Sequence, residues 1–151
     1  MSDFQVSVRS ARPGDVPALV QLFEQLGYTT DEPTLRAQLE LFGHGGAHAL
    51  VAELPTHALA GLATLAIHPR LYSRAPSAQL TALVTDRGAR RHGVGRALTR
   101  AAADIAREAG CEKLYVRTSR RRPESPPFYR SLGFEEDHLT FDLHFRTGGN
   151  R

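Results

Sequence analysis

The chain has 151 residues, a formal net charge of +3, 41% hydrophobic and 23% charged residues, and one cysteine. That length suits a single domain burying about 70% of its unfolded surface, and the composition is ordinary for a globular protein. One cysteine excludes an intramolecular disulfide and any multi-cysteine metal site. No apolar run approaches the ~20 residues of a membrane-spanning helix, and the start, MSDFQVSVRS, lacks the apolar core of a secretion signal. The expectation is a cytoplasmic protein with no metal.

The charge is unevenly spread. Between Arg87 and Arg130 there are 12 basic and four acidic residues, a net +8, while the remainder of the chain nets −5. Such asymmetry points to an anionic ligand or partner for the second half, with an arginine-rich background as the plainer alternative.

In chain order, Phe4 to Arg9 alternates apolar and polar residues as a half-buried strand does. Pro13-Gly14-Asp15 opens a helix with Val16, Leu19, Val20, Phe23 and Leu26 on one stripe and Gly27 as its stop. A second helix begins at Asp31 and Pro33, carries Leu35, Leu39 and Phe42, and ends at Gly43. After a glycine turn from His44 to Ala47, Ala49 to Leu54 and Leu59 to Ile67 read as a hairpin across Pro55-Thr56-His57. A loop rich in Pro, Ser and Arg, Pro69 to Ser77, leads to a fourth strand, Gln79 to Thr85. Val94, Ala97, Leu98, Ala101, Ala102, Ile105 and Ala109 then repeat at helical steps up to Gly110. Lys113 to Thr118 is a fifth strand, Pro127 to Leu132 a short helix stopped by Gly133, and Phe134 with Leu139 to Phe145 are expected closing strands. Strands alternating with helices, with an early hairpin, predict an α/β or α+β sandwich around one sheet. The domain is expected to run over residues 1–146, with 147–151 as a tail.

The densest chemistry lies where the fourth strand meets the long helix, at Asp86-Arg87-Gly88-Ala89-Arg90-Arg91-His92-Gly93-Val94-Gly95-Arg96. The first N–H groups of a helix lack intrahelical partners and the helix dipole adds positive charge, so this junction is suited to phosphate. Glycines let the backbone approach a bulky anion, and Arg90, Arg91 and Arg96 offer charge-assisted hydrogen bonds. A P-loop would need Lys-Ser/Thr where Val94-Gly95 stands, and a dinucleotide fingerprint would need a third glycine where Leu98 stands.

What remains, Arg90-x-x-Gly93-x-Gly95 between an apolar strand and an alanine-rich helix, resembles the central motif of the GNAT superfamily of acetyl-CoA-dependent N-acetyltransferases. Further on, Phe128-Tyr129-x-x-Leu132-Gly133-Phe134 is similar to that family's second signature. The resemblance spans the whole chain. It implies a single domain with a mixed, mostly antiparallel sheet of six to seven strands flanked by about four helices. The lead-in Thr118-Ser119-x-x-Arg122-Pro123-Glu124-Ser125 looks like a bacterial subgroup that includes aminoalkylphosphonate and some aminoglycoside-type acetyltransferases. Where that subgroup often has Ala-His before Phe-Tyr, this chain has Pro126-Pro127.

The resemblance implies acetyl-CoA as co-substrate and direct acetyl transfer to a primary amine of a small molecule, with neither nucleic acid nor membrane as partner and with room for a homodimer. It assigns Leu83, Val84 and Thr85 to the pantetheine arm through backbone groups. Arg90, Arg91, His92, Gly93, Val94, Gly95 and Arg96 fall to the pyrophosphate, and Tyr129 to the proton returned to the departing thiolate. The plainer readings are core strand residues, a structural turn and a packed tyrosine. Relatives often carry a glutamate base on the fourth strand where Thr81 stands, which leaves Asp86, Glu53, His57, His68 and His138 as candidates reached through water.

His44 and His48 read as loop residues because Gly45-Gly46 breaks the helix that would align a metal pair. Cys111 reads as a small apolar residue, and Ser119-Arg120-Arg121-Arg122 as a solvated loop or a clamp for a nucleotide 3′-phosphate. Acceptor specificity is expected on the first two helices and the Pro69–Ser77 loop, where Asp31, Glu32, Glu40 and Glu53 could favour a cation. Thr81 motivates an alternative, a coenzyme A-binding regulatory or degenerate module. A third reading, a nucleic-acid-binding domain using the +8 segment, lacks interleaved aromatics.

Overall fold

In the computed structural model, which describes residues 2–146, all five strands lie before residue 117. The chain divides into two compact units, one through Val116 and one from Arg117. In the first unit the strands β1 (Ser7–Ser10), β2 (Ala47–Glu53), β3 (Leu59–Arg70), β4 (Ser73–Thr85) and β5 (Leu114–Val116) form one sheet in sequence order. β1 to β4 pair antiparallel and β5 joins β4 in parallel, so the sheet is mixed as expected. The helices are α1 (Val16–Leu26), α2 (Glu32–Leu39), α3 (Val94–Glu108) and, in the second unit, α4 (Ser125–Ser131).

Strand alternation divides the core into two layers. On one face Leu62 of β3, Val84 of β4 and Val51 of β2 pack against Leu19 and Leu22 of α1. On the other face Val94 and Leu98 of α3 press against Gly61. α1 ends in a left-handed Gly27, with Tyr28 N–H donating to the Phe23 carbonyl and Gly27 N–H to that of Glu24. α3 closes the same way, with Cys111 N–H on Ala106 and Gly110 N–H on Arg107. These are the paired bonds by which a glycine stop satisfies the last carbonyls of a helix.

Three expectations are corrected. Pro69 to Ser77 is not a loop: β3 and β4 continue through it and turn at Leu71-Tyr72. The Arg70 guanidinium holds this polar hairpin by bonding the Ala75 carbonyl at 3.0 Å, Ser73 Oγ and the Glu112 carboxylate. Its Pro-Ser-Arg composition therefore concealed an extended strand.

α2 stops at Leu39, three residues before Phe42, because Leu41 and Phe42 bond back in tighter three-residue turns toward a left-handed Gly43. Finally, Phe134 and Leu139 to Phe145 form no strand. Their alternation is real, but Leu139, Phe141, Leu143 and Phe145 are solvent-exposed, the least at 72%. Strand propensity expresses itself only when a face is buried. The 147–151 tail lies outside the described residues.

Candidate functional site

β4 carries the first irregularity. Opposite β3, Thr64 pairs with Ala82 and Leu65 with Leu80, so Thr81 is an extra residue in β4, a β-bulge. A bulge leaves its residue outside the ladder and re-aims its side chain. Here the Thr81 hydroxyl meets Thr64 Oγ1 at 2.7 Å.

β5 pairs only with Ala78, Gln79 and Leu80 and ends at Val116. From Thr81 onward β4 therefore has a partner on one side only. Leu83, Val84 and Thr85 pair with Ala63, Leu62 and Gly61 of β3, and among the described residues no strand pairs with their other edge. Val84 is also buried, so its side chain serves the core while its backbone borders the open edge.

Beyond Thr85 the backbone is tightly specified. Asp86 accepts the Gly88 N–H and caps a 3-10 turn, Arg87–Ala89. Gln25, at the end of α1, donates to Asp86 at 2.9 Å and accepts the Arg87 N–H at 2.8 Å. Arg91 (φ 68°) and Gly93 (φ 80°) are then both left-handed, and α3 begins at Val94. A non-glycine residue holds that conformation at a cost of about 1–3 kcal/mol, which marks the turn as constrained.

The first helical bond is from Ala97 N–H to the Gly93 carbonyl. No bond to a described residue engages the N–H groups of Gly93, Val94, Gly95 and Arg96. The side chains of Arg90, Arg91 and Arg96 are exposed and form no ion pair with a described carboxylate. Free donors, local positive charge and a side-chain-free Gly93 fit a phosphate-bearing ligand.

The same sheet face as Leu62 and Thr64 continues along β3 through Ala66 to His68, and across to Gln79 and Tyr115. His68 Nε2 lies 3.1 Å from the Tyr115 hydroxyl, which donates to Gln79 Oε1 at 3.5 Å. This polar line ends at the bulge, where β4 leaves β5.

The other base candidates have structural partners. Glu53 is bonded by His57 at 2.8 Å and Arg9 at 2.6 Å, and these bonds, that of His57 foremost, hold its carboxyl below the usual range. Asp86 is the cap described above. His138, in the second unit, is exposed beside Asp137. Of the acidic residues thought to favour a cationic acceptor, Asp31 caps α2 through Thr34 N–H and Glu32 pairs with Arg36. His44 bonds the Glu40 carbonyl. Cys111 is half-buried, and burial pushes its thiol up, away from nucleophile behaviour.

In the second unit, α4 begins two residues earlier than its apolar pattern suggested, at Ser125, and its end explains the Phe-Tyr…Gly-Phe spacing. Gly133 is left-handed, its N–H donates to Arg130, and Phe134 N–H donates to Tyr129. This stop brings the Phe134 and Tyr129 rings to 5.3 Å, edge to face. Phe128 flanks Tyr129 on another side at 5.1 Å. Burial pushes the Tyr129 phenol up to about 12, moderated by Arg122. Its ring is packed as the plainer reading has it, but its hydroxyl bonds no described residue.

Several contributors carried no readable sequence signal. Gln25 and Thr64 act through distant partners, and Leu22, buried at 2%, fell outside the assigned helical stripe. Asp86 could have been found, since Asp before a glycine turn is a recurrent cap.

The profile of the Acetyltransferase (GNAT) family matches residues 16–134. A protein of Agrobacterium tumefaciens str. C58, provisionally named an acetyltransferase, is similar at 30% identity and TM-score 0.80, over 92% of this chain and 99% of its own. A transcriptional regulator from Bacillus halodurans C-125 superposes at 25% identity and TM-score 0.83, over 93% and 100%. An aminoglycoside acetyltransferase from an uncultured soil metagenomic sample, solved with sisomicin, shares the fold at 22% identity and TM-score 0.77, over 93% and 97%. Among curated protein sequences none matches significantly. With its family profile spanning most of the sequence and the strand–turn–helix junction inside the match, the chain belongs to the GNAT acetyltransferase family and is an acyltransferase.

Proposed function

We propose that the enzyme transfers acetyl from acetyl-CoA directly to a primary amine of a small molecule. The observation that carries this reading is the continuity of two unpaired backbone features. The one-sided edge of β4 leads through the Asp86–Gly93 turn to a helix start whose N–H groups bond no described residue. Acetyl-CoA supplies an acyl group activated as a thioester. The N–H groups of Gly93 to Arg96, with Arg90, Arg91 and His92 around them, would hold its diphosphate. Leu83, Val84 and Thr85 would pair with the pantetheine arm and offer an N–H to negative charge developing on the carbonyl oxygen. These assignments follow the family resemblance, and the open edge and free donors support them.

Tyr129 would serve the departing sulfur. A phenol raised to about 12 keeps its proton at neutral pH. Transfer of that proton to a less basic thiolate is uphill by roughly 1.4 kcal/mol per pKa unit, a cost that the hydrogen bond to developing charge on sulfur offsets as the C–S bond breaks. The acceptor amine must lose a proton before it attacks. His68, reached by turning the Tyr115 O–H from Gln79 to His68 Nε2, is the candidate base that shares a face with the bulge and pairs with no described carboxylate.

The test is two-stage. Acetyl-CoA should raise the melting temperature, and no shift at millimolar ligand would remove the donor assignment. Free-thiol release is then followed over polyamines, aminoglycosides, aminoalkylphosphonates, amino acids and peptide N-termini. The soil aminoglycoside enzyme places aminoglycosides early in that panel. Binding without turnover on any amine would favour the regulatory alternative, which the uncharged Thr81 and the B. halodurans regulator also motivate.

A further inference from the structure

Residues 2–4 lie against the loop proposed to hold the diphosphate, through four separate contacts. Phe4 N–H donates to the His92 carbonyl at 2.8 Å. The Phe4 ring stacks on the His92 imidazole, with centroids 3.8 Å apart and planes 5° from parallel. His92 Nδ1 donates to the Ser2 carbonyl at 2.7 Å, which fixes Nδ1 as the protonated nitrogen. The Asp3 carboxylate covers Gly93: a Cβ there would lie 2.7 Å from the carboxylate carbon and 2.8 Å from one oxygen. The loop's left-handed turn at Gly93 is thus bordered by an acidic side chain that accepts no hydrogen bond from the N–H groups of Gly93 to Arg96.

We infer that Phe4 and Asp3 belong to the donor site: Phe4 positions the cofactor loop through His92, and the Asp3 carboxylate opposes the diphosphate and lowers coenzyme affinity. This rests on the donor assignment above. The two residues act in opposite directions. The flat stack and the Phe4–His92 backbone bond hold His92 and Gly93 in the conformation that presents the following N–H groups together. A diphosphate arriving there meets a carboxylate of like sign a few ångströms away. In an exposed setting that repulsion is modest and screened by salt.

The experiment is calorimetric titration of the full chain with coenzyme A itself, at low salt and at ~0.5 M salt. Asp3→Asn should lower Kd about three- to tenfold at low salt, with the gain shrinking at high salt. Phe4→Leu, which keeps apolar bulk but removes the stacked ring, should raise Kd about threefold or more at either salt. The melting temperature of each variant without ligand controls for folding, and Asp3→Asn should leave it unchanged. Equal or weaker binding by Asp3→Asn, or a gain that ignores salt, overturns the inference while leaving the donor assignment standing. Binding by neither the native chain nor Asp3→Asn overturns both, and binding gained only in Asp3→Asn supports both.

Discussion

At the end of β4 the groups proposed to meet the donor are backbone ones: the open edge of Leu83, Val84 and Thr85, and the N–H groups from Gly93 to Arg96, which bond no described residue. Farther back, across β3, β4 and β5, the candidate groups are side chains: the hydroxyls of Thr64 and Thr81, then Gln79, Tyr115 and His68. A backbone site is specified by where glycines must be and where pairing stops. A side-chain site is specified by which residues happen to meet across strands. The first kind tolerates changes of side chain but not of chain path, whereas the second tolerates neither loss of a functional group nor a shift in register.

The largest effect should come from disturbing the chain path. A Cβ at Gly61 would sit 2.8 Å from the Val84 backbone oxygen and 3.0 Å from both Leu98 and Val94. The backbone oxygen cannot move without shifting β4, so Gly61→Ala should cost about 2–3 kcal/mol. For a chain of this length that is a melting-temperature drop of roughly 5–10 °C. It should also weaken coenzyme A binding, because Val94 opens the helix that carries the free donors. A melting temperature within a degree of the native value would show that the β3–α3 contact is not the constraint described.

Removing a functional group should act next most strongly, and on rate rather than on fold. Tyr129→Phe should lower turnover at least tenfold at neutral pH with little change in melting temperature; an unchanged rate refutes the role. The raised phenol also has a sign. The folded state holds this proton up to about 12, while an unfolded tyrosine releases it near 10. Stability from this group is therefore independent of pH below about 10 and falls as pH rises from there toward 12. Tyr129→Phe should flatten that part of the alkaline unfolding curve.

The proton-accepting line is tested by His68→Gln and Tyr115→Phe on the best amine found. Both should lower the rate about tenfold with little change in melting temperature. Other charges near the pair are Lys113, whose ammonium lies 5.8 Å from the Tyr115 ring centroid, and the Arg70–Glu112 ion pair. Lys113→Met should leave the rate in place, and an unchanged rate in His68→Gln assigns the base elsewhere.

The contrast explains what could be read from the sequence. The turn at Gly93 and the stop at Gly133-Phe134 were legible because glycine positions record left-handed turns and helix stops that few other residues take cheaply. α1 and α3 were legible from their period. The Thr81 bulge was not, because one extra residue in an apolar strand leaves no compositional trace. The Leu71-Tyr72 hairpin was hidden because Arg70, not strand propensity, supports it. The His68–Tyr115 contact joins residues 47 apart, and only strand register shows that they meet.

Gln25 stands between the two kinds of site and should give the smallest effect. It is a side chain, yet its task is to hold a backbone, accepting the Arg87 N–H and donating to Asp86 from the last turn of α1. Gln25→Ala deletes both bonds at a partly exposed position where water can replace them, so stability should fall by only about 1 kcal/mol. If the loop's conformation matters more than its side chains, coenzyme A affinity should nevertheless fall about two- to fivefold, in proportion to that lost restraint. Gln25→Glu separates the two contributions. It keeps an acceptor for Arg87 N–H but places a carboxylate beside Asp86, so it should bind more weakly than Gln25→Ala. Affinity restored by Glu would mean that the Arg87 bond alone sets the loop and that Asp86 needs no partner.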